Sequence, residues 1–342
     1  HLGKALLELG VQPEMLICRS EHEIDLSRRK RIARLCNVST RAVIESRDAS
    51  TIYDVPLHMQ AEELDKVVLE HLRLPARTEP ELASWKDFLH TLKNPEHTVR
   101  VGLVGKYVEL KDAYKSINEA FIHAGVSNKA KVEVEFIHSE KLTNENVAEY
   151  LEGLDGVLVA PGFGTRGIKG KISAVKYVRE NKIPFFGICL GMQCAVIEYA
   201  RNVLGITDAH TVEIDKDAQN PVISLMDEQK NIEDMGGTMR LGAYECKLVP
   251  GTKIYDAYNS DIVSERHRHR YEFNNAYLEQ FEKNGMKASG FNPKTNLVEV
   301  VEIEDHPWFV GTQFHPEYKS TVDSPHPLFV AFIKAIINHK NK

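Results

Sequence analysis

The sequence lacks several features that would assign it to a broad class. No run approaches the ~18 apolar residues of a membrane span, and the first residues do not resemble a signal peptide. The five cysteines form no CxxC pair and no disulfide framework, which predicts a protein of the reducing cytoplasm. The net charge of −6 gives no overall attraction to nucleic acid. A phosphate-binding GxxxxGK(S/T) loop is also absent.

The chain is long enough for two domains, with 342 residues of which 42% are apolar. Residues 1–75 alternate short helical and strand patterns, and residues 76–98 suit a polar linker that carries one helix. In residues 99–340, strand and helix patterns alternate, which predicts an α/β fold with a mostly parallel sheet flanked by helices. The chain starts at His1 inside a helical pattern and without methionine, so we expect a fragment of a longer protein. The predicted strands of the long segment are Val99–Val104, Val132–Ile137, Gly156–Val159, Ile183–Ile188, Leu297–Ile303 and Phe309–Phe314.

The most informative segment is Gly187–Gln193, in which glycines flank Cys189. It follows an apolar run of strand length and precedes a helical pattern, and the glycines let the backbone turn sharply between the two. A thiol at the tip of such a turn lies near backbone N–H groups, and the helix dipole stabilises its thiolate. A cysteine is more often a buried structural residue, but the flanking glycines favour a nucleophile here.

A nucleophilic cysteine needs a base that is near in space, and His315 is the strongest candidate. It follows the apolar run Phe309–Phe314 and precedes Pro316, which interrupts a strand because it has no N–H. Glu317 lies two positions further, so both side chains can face the same way and the carboxylate can orient the imidazole. A lone histidine is more often a polar surface residue, but a carboxylate at this spacing favours a catalytic pair.

Together, these two segments resemble the class I glutamine amidotransferases, in which a Cys–His–Glu triad hydrolyses the side-chain amide of glutamine. The resemblance implies that Cys189, His315 and Glu317 form this triad. Five further segments are similar to the glutaminase domain of the CTP synthases, and the resemblance covers essentially the whole chain. These segments are Val104–Val108, Asp112–Ser116, Gly162–Gly167, Met235–Gly242 and Glu265–Glu272.

The resemblance also implies how the domains are organised. Residues 99–340 would have the flavodoxin-like fold of a class I glutamine amidotransferase. Residues 1–75 resemble the C-terminal part of a P-loop-type amidoligase domain, which in this family aminates UTP to CTP with ATP and with ammonia from glutamine. Because the chain has no P-loop sequence, we expect that it does not make CTP unaided.

The tetrahedral intermediate of amide hydrolysis needs N–H donors for its oxyanion. By the family pattern, these are the N–H groups of Leu190 and of a residue in the glycine-rich loop. Many relatives have Pro-Gly-Gly-Phe-Gly in this loop, whereas this chain has Pro161 directly before Gly162, and proline has no N–H. Gly162 must therefore serve as the second donor. The implied glutamine contacts are Gly162, Leu190, Gly191, Met192, Gln193, Glu213 and Arg270.

The run Arg266–Arg270 alternates arginine with histidine, so an extended chain would place the arginines on one face and the histidines on the other. From the residues alone, this run is a solvated strand or a phosphate-binding patch. The resemblance places Arg270 at the glutamine carboxylate, which suits the two parallel N–H groups of a guanidinium, and Glu213 at the ammonium group. No Cys or carboxylate repeats at ligand spacing, so no metal site is predicted.

The resemblance further implies nucleotide contacts. Arg31, in a basic helix, would contact UTP or CTP, while Lys115 and Arg166 would contact GTP, the allosteric activator of this family. For each of these residues, a solvated side chain is as good an interpretation or a better one. ATP and Mg²⁺ are expected only in the complete enzyme, which is a homotetramer in this family. No cofactor of the glutaminase domain and no nucleic-acid or membrane partner is expected.

Two other interpretations remain open. The first is a free-standing Cys hydrolase of the same fold, of the γ-glutamyl hydrolase type. Residues 1–75 and the segment Met235–Gly242 argue against it. The second is a non-catalytic assembly module, against which the intact triad argues. GTP-responsive glutamine hydrolysis, GTP-independent cleavage of γ-glutamyl peptides and the absence of turnover distinguish the three cases.

Overall fold

A computed structural model describes residues 2–75, 80–225 and 239–341. The chain divides between Leu89 and His90 into two compact units. Within the described ranges, no helix combines the length and the apolar character needed to cross a membrane.

The first unit contains, among its described residues, a two-stranded parallel sheet of β1 (Leu16–Ser20) and β2 (Val43–Arg47). Ile44 of β2 and Val67 are almost fully buried and form a small apolar core with Ala42. This short helix–strand alternation agrees with the α/β pattern of the sequence. The helices are α1 (Leu2–Glu8), α2 (Leu26–Cys36), α3 (Val55–Ala61), α4 (Leu64–His71) and α5 (Ala83–Lys93).

The basic helix α2 is tied to its unit by Arg29. The guanidinium of Arg29 donates hydrogen bonds to Glu62 at 2.5 Å and to Glu45 at 2.8 Å. These contacts raise the pKa of Arg29, the hydrogen bond to Glu62 most of all. Arg29 therefore has a structural role, whereas Arg31, two residues further along the helix, is exposed.

Helix α5 lies in the segment predicted to be a linker, yet its first half packs on the first unit. Trp85 and Phe88 contact Tyr53, with ring centroids 6.1 and 5.0 Å apart. Trp85 Nε1 also donates to the Tyr53 carbonyl at 2.8 Å. The first unit therefore extends to Leu89.

The second unit alternates strands with helices, and each of the six strands predicted from residue 99 onward is a strand of the structure. Its helices are α6 (Lys115–Ser127), α7 (Val147–Leu151), α8 (Ile168–Glu180), α9 (Leu190–Asn202), α10 (Lys253–Tyr258), α11 (Leu278–Lys283) and α12 (Pro327–Lys340). Its strands are β3 (His97–Gly105), β4 (Ala130–His138), β5 (Gly156–Val159), β6 (Phe185–Ile188), β7 (Ala209–Thr211), β8 (Asn220–Ser224), β9 (Arg240–Leu248), β10 (Ile262–His269), β11 (Glu272–Phe273), β12 (Met286–Phe291), β13 (Val298–Ile303) and β14 (Phe309–Thr312).

The large sheet of the second unit is mixed. In the described part of the chain it has nine strands in the order β10-β9-β12-β13-β14-β6-β5-β3-β4. The five from β14 to β4 run parallel, and the other four are joined by antiparallel pairs. The strand order of the parallel part is flavodoxin-like, as the family resemblance implied for the fold. Strands β11, β8 and β7 form a separate small sheet.

Helices cover both faces of the parallel strands. Val175 of α8 belongs to one apolar cluster and Phe332 of α12 to the other. Strand β5 contributes to both, since Val157 packs in the first cluster and Leu158 in the second. Strands that are buried on both faces need continuous apolar runs, which is why their sequences were recognisable. Each such side chain contributes about 1.5–3 kcal/mol by its burial.

Candidate active site

Parallel strands bring their carboxyl ends to one edge of the sheet, where α/β proteins commonly bind ligands. Lys106 directly follows β3, Ala160 follows β5, and Cys189 follows β6. Gln313 follows β14, the strand that pairs with β6. His315 lies two residues after Gln313. The topology therefore brings the predicted nucleophile and base to the ends of neighbouring strands.

Cys189 forms a strained turn between β6 and α9, with φ 52° and ψ −104°. A positive φ is uncommon for a residue with a Cβ, and it marks strain of the kind found at functional sites. The flanking glycines are required sterically. A Cβ on Gly187 would lie 2.8 Å from the carbonyl carbon of Gly191, and one on Gly191 would lie 2.1 Å from the Val159 oxygen. The Cys189 N–H donates to the Thr312 carbonyl at 2.7 Å, which ties the turn to β14.

We expect Gly191→Ala to lower the free energy of unfolding by about 3 kcal/mol or more, because overpacking against backbone cannot be relieved by a side-chain rotation. Urea denaturation measures this loss. Gly205→Ala is the matched control, since Gly205 has φ +74° and no atom near its added Cβ within 4 Å. Its cost is limited to the left-handed backbone, about 1–2 kcal/mol. Equal losses in the two variants would contradict the close packing of the turn.

His315 is held in place by contacts on three sides. Its Nδ1 lies 2.8 Å from Glu317 Oε1, and both residues are buried. The backbone N–H of His315 donates to the Arg266 carbonyl at 2.8 Å, and the imidazole ring stacks on Tyr318 with 5.1 Å between ring centroids. A carboxylate at Nδ1 fixes the ring so that Nε2 is left for the reacting groups.

The charges of His315 and Glu317 favour a reactive thiolate at Cys189. Burial lowers the pKa of His315, but Cys189 and Glu317 together raise it overall to about 11. The imidazolium is thus retained at neutral pH, as an ion pair with a cysteine thiolate requires. Nε2 of His315 has no hydrogen-bond partner of regular geometry among the described residues, and the charge of Cys189 is the larger of its two contributions to this pKa. Contacts between catalytic groups often tighten only when substrate binds.

Gln313 and Gln193 form a chain of hydrogen bonds that ends at the thiol of Cys189. Gln313 Nε2 donates to Cys189 Sγ at 3.7 Å. Gln193 Nε2 in turn donates to Gln313 Oε1 at 3.2 Å and to the Tyr271 carbonyl at 3.1 Å. Gln193, predicted to contact glutamine, is buried and hydrogen-bonded to Gln313, which was not predicted.

The first four residues of α9 are all predicted glutamine contacts. The first hydrogen bond of this helix runs from the Gln193 N–H to the Cys189 carbonyl at 3.1 Å, and the preceding N–H groups have no acceptor within the helix. These groups belong to Leu190, Gly191 and Met192. Because the Met192 side chain is buried in the core, only its backbone can contact a ligand.

Two buried lysines hold the loop after β5, and neither was predicted from the sequence. Lys171 Nζ donates to the Ala160 carbonyl at 2.5 Å. Lys106 Nζ donates to two carbonyls at the other end of the loop, at 2.5 and 3.2 Å. A Cβ on Gly162 would lie 3.6 Å from the Leu190 side chain. The structure thus brings together the two residues predicted to hold the oxyanion.

Glu213 and Arg270 come from other parts of the second unit. Glu213 Oε1 accepts a hydrogen bond from the Gly164 N–H at 2.8 Å, which places its carboxylate at the glycine-rich loop. Arg270 is half-buried just beyond β10, next to Tyr271, whose carbonyl accepts from Gln193. Both predicted residues therefore lie beside segments that contact the cysteine turn.

The alternation predicted for Arg266–Arg270 is confirmed. His267 and His269 are buried, whereas Arg266 and Arg268 are exposed. The run is strand β10 up to His269, so it is solvated on one face only.

The buried face of β10 joins a charge network. His267 Nδ1 lies 2.8 Å from His269 Nε2, and Arg240 donates to Glu272 at 3.0 Å and to Glu299 at 2.8 Å. Burial lowers the pKa of His267 to about 2, so this ring is neutral. His267, His269 and Glu299 have ligand atoms within 4.8 Å of one another, as a metal site would require. The guanidinium of Arg240, however, already balances the Glu299 carboxylate.

The predicted nucleotide contacts lie on exposed surface. Lys115 Nζ pairs with Glu119 at 3.2 Å, and Arg166 Nε pairs with Glu140 at 3.2 Å. Arg166 also lies over the Tyr107 ring, 5.7 Å from its centroid. Exposed ion pairs contribute little, about 0–1 kcal/mol, so these cations can exchange partners readily.

Comparisons with known proteins identify the family. Residues 109–335, more than half of the chain, match the family model for glutamine amidotransferase class-I, and residues 1–74 match that for the CTP synthase N-terminus. The glutaminase domain of Trypanosoma brucei CTPS, solved with bound acivicin, superposes with a TM-score of 0.67 at 38% identity. The match covers 70% of this chain and 94% of that domain. The chain belongs to the CTP synthase family of glutamine amidotransferases.

Curated CTP synthases match the chain along its whole length. The enzyme of Cytophaga hutchinsonii is 59% identical over 335 residues, covering 98% of this chain and 62% of the relative. That of Flavobacterium psychrophilum is 59% identical over 342 residues, covering 100% of this chain and 64% of the relative. The chain thus spans just under two thirds of these CTP synthases. One of the segments predicted to resemble the CTP synthases, Met235–Gly242, is described only in part. Its first four residues, Met235–Thr238, lie outside the described residues.

Proposed function

We propose that this chain hydrolyses the side-chain amide of glutamine to glutamate and ammonia. The observation that carries the proposal is the strained turn at Cys189 beside the buried pair of His315 and Glu317. A glycine-flanked nucleophile, a base and an orienting carboxylate on adjacent strand ends suit acyl transfer. The family membership supports the same reaction.

In the first half of the reaction, the Cys189 thiolate attacks the carbon of the glutamine side-chain amide. The negative charge moves to the amide oxygen, where the N–H groups of Leu190 and Gly162 receive it. His315 gives its Nε2 proton to the amide nitrogen, the C–N bond breaks, and ammonia leaves. Removal of one oxyanion donor typically costs about 10²–10³ in kcat.

In the second half, the neutral His315 takes a proton from water, and the hydroxide attacks the thioester. A second tetrahedral oxyanion forms at the same N–H groups and then collapses, which releases glutamate and restores the Cys189 thiolate. Glu317 does not react, but it holds the imidazole and stabilises its cationic form in both halves.

Recognition of glutamine needs partners for its two charged ends. Glu213, at the glycine-rich loop, receives the ammonium group, and Arg270 binds the carboxylate with two N–H groups. Gln193 contributes through Gln313, which lies against the thiol. The backbone of Gly191 and Met192 completes the pocket at the start of α9.

The ammonia is consumed in the whole protein, where we propose ATP-dependent amination of UTP to CTP. Residues 1–75 belong to the C-terminal part of the amidoligase domain, and residues 99–340 form the glutaminase domain. Residues 76–98 join the two, and their helix α5 packs in part on the first unit. Arg31 contacts UTP or CTP, and Lys115 and Arg166 contact GTP, which activates hydrolysis. The whole protein is a cytoplasmic homotetramer. Because this chain has no P-loop sequence, ATP and Mg²⁺ are expected only in the whole protein.

The chain alone, given glutamine, UTP and ATP, is expected to release glutamate and ammonia but no CTP, and GTP is expected to accelerate the release. When the chain is joined to the part of the Flavobacterium psychrophilum relative that it does not span, CTP should form from either glutamine or free ammonia. Cys189→Ala should then spare only the ammonia-driven route. Chromatographic quantitation of CTP and glutamate checks each arm.

Each alternative outcome excludes part of the proposal. CTP made by the chain alone would show that its amidoligase chemistry is misplaced. GTP-independent cleavage of γ-glutamyl peptides would indicate a free-standing hydrolase. Absence of any turnover, alone or joined to the relative, would indicate an assembly module.

A further inference from the structure

Lys171 is a lysine without solvent exposure in the middle of a covered helix. It lies on α8 among the buried residues Ile168, Ile172 and Val175. A buried ammonium group loses its hydration, and lysine is almost never fully buried unless its charge has partners. A methionine would fill similar space without this loss. The packing of α8 therefore does not explain why a lysine occupies the position.

The ammonium group of Lys171 retains its charge despite this environment. Burial lowers its pKa most, Lys106 lowers it further, and Cys194 and Cys189 oppose the change, which leaves a pKa of about 8. This pKa lies close to neutral pH, so the protonated form is present there. Its Nζ donates to the Ala160 carbonyl at 2.5 Å, a charge-assisted hydrogen bond.

This hydrogen bond acts on the loop that carries the second oxyanion donor. Pro161 cannot donate, so the proposed function depends on the N–H of Gly162, whose direction is set by the two preceding peptide units. Lys171 holds the first of these through the Ala160 oxygen. Its Nζ also lies 3.9 Å from the place of a Cβ on Gly162. The cation is thus both attached to the loop and next to the donor.

We propose that Lys171 is a positioning residue for glutamine hydrolysis, which holds the Ala160–Gly162 loop so that the Gly162 N–H faces the oxyanion. Its charge adds positive potential on the side where negative charge develops. The inference rests on the proposed function and adds to it a residue outside the triad and its N–H donors. The hydrogen bond to Ala160, the full burial and the distance to Gly162 support it.

The test compares Lys171→Met with Lys169→Met in the 342-residue chain. Lys169 is exposed on the same helix, so its variant controls for the substitution itself. We expect Lys171→Met to lower kcat for glutamine hydrolysis by about 10- to 100-fold with KM changed less than about 2-fold, because oxyanion contacts form only in the transition state. Lys169→Met should retain both values.

Two further measurements separate positioning from other roles. Alkylation of Cys189 by iodoacetamide needs the thiolate but forms no oxyanion, so its rate should fall by much less than kcat does in Lys171→Met. The thermal unfolding midpoint should stay equal or rise, because an apolar side chain replaces a buried charge. Lys171→Gln, which keeps an N–H donor without the charge, should have an intermediate kcat.

An unchanged kcat in Lys171→Met would overturn the inference. A loss in the rate of alkylation by iodoacetamide as large as the loss in kcat would also overturn it, since Lys171 would then act on the thiol. If Lys171→Met does not fold, Lys171→Gln decides, and a kcat equal to that of the unsubstituted chain would exclude a role for the charge. An unsubstituted chain that does not hydrolyse glutamine contradicts the proposed function instead.

Discussion

Cys189→Ala is expected to abolish glutamine hydrolysis, with a loss of roughly 10⁴-fold or more in kcat, whereas Cys194→Ala should retain most of the activity. Cys189 occupies the strained turn at the end of β6 and can attack a bound amide. Cys194 lies within α9, where burial raises its pKa to about 11, so its thiol stays protonated at neutral pH. Ammonia release, followed in a coupled assay, measures both variants.

Covalent labelling provides the control for this result. A glutamine analogue that carries an electrophile should modify the unsubstituted chain at Cys189 alone, and peptide mass spectrometry locates the modification. Labelling at Cys194 or Cys246 would contradict the assignment. Cys246 is also fully buried, and burial strongly raises the pKa of its thiol.

Replacement of the base should cost more than replacement of its orienting carboxylate. We expect His315→Asn to lower kcat by roughly 10⁴-fold or more. The loss in Glu317→Gln should be about 10- to 100-fold smaller than the loss in His315→Asn. The reason is that His315 transfers the protons, whereas Glu317 only holds and stabilises the imidazolium. Steady-state hydrolysis rates with saturating glutamine measure both losses. Equal or reversed losses would assign Glu317 to another task, such as support of the turn at Pro316.

The pH dependence of stability and of kcat/KM provides an independent test of the role of Glu317. Burial lowers the pKa of His315, but Cys189 and Glu317 raise it from 6.5 to about 11. A raised pKa means that the ion pairs of His315 stabilise the fold fully below pH 6.5 and that this contribution is lost as the pH rises through about 11. Without the Glu317 charge this loss should occur at lower pH. The alkaline limb of kcat/KM in Glu317→Gln should shift in the same direction.

The parallel strands could be predicted because their burial on both faces demands apolar runs, as in Val99–Val104 and Phe309–Phe314. Strands β9 and β10 were not predicted as part of the sheet. Their buried and exposed residues alternate, and charged residues such as Arg240 and Glu265 occupy buried positions. Nothing in a local window distinguishes such a strand from a solvated segment, because the partners that satisfy these charges lie far away in sequence.

In the candidate site, too, residues with a local sequence signal could be predicted, and residues defined by distant partners could not. Cys189 and His315 were recognisable because glycines and a proline next to them constrain the backbone locally. Lys171 and Gln313 were not, since their partners Ala160 and Cys189 are 11 and 124 positions away. One local signal did exist for Lys171, which interrupts the apolar stripe of α8, where a solvated lysine is not expected.

The pairing of β14 with β6 has a consequence for evolution. Cys189 and His315 follow two neighbouring strands that pair over four positions, from Phe309↔Phe185 to Thr312↔Ile188. Arg270 comes instead from the antiparallel margin of the sheet, and Glu213 from the segment after β7. In the proposed function Arg270 and Glu213 bind the substrate, so mutations in these outer segments can change which molecule is bound without altering Cys189 and His315. Cys189 and His315 can therefore stay unchanged while the substrate specificity changes.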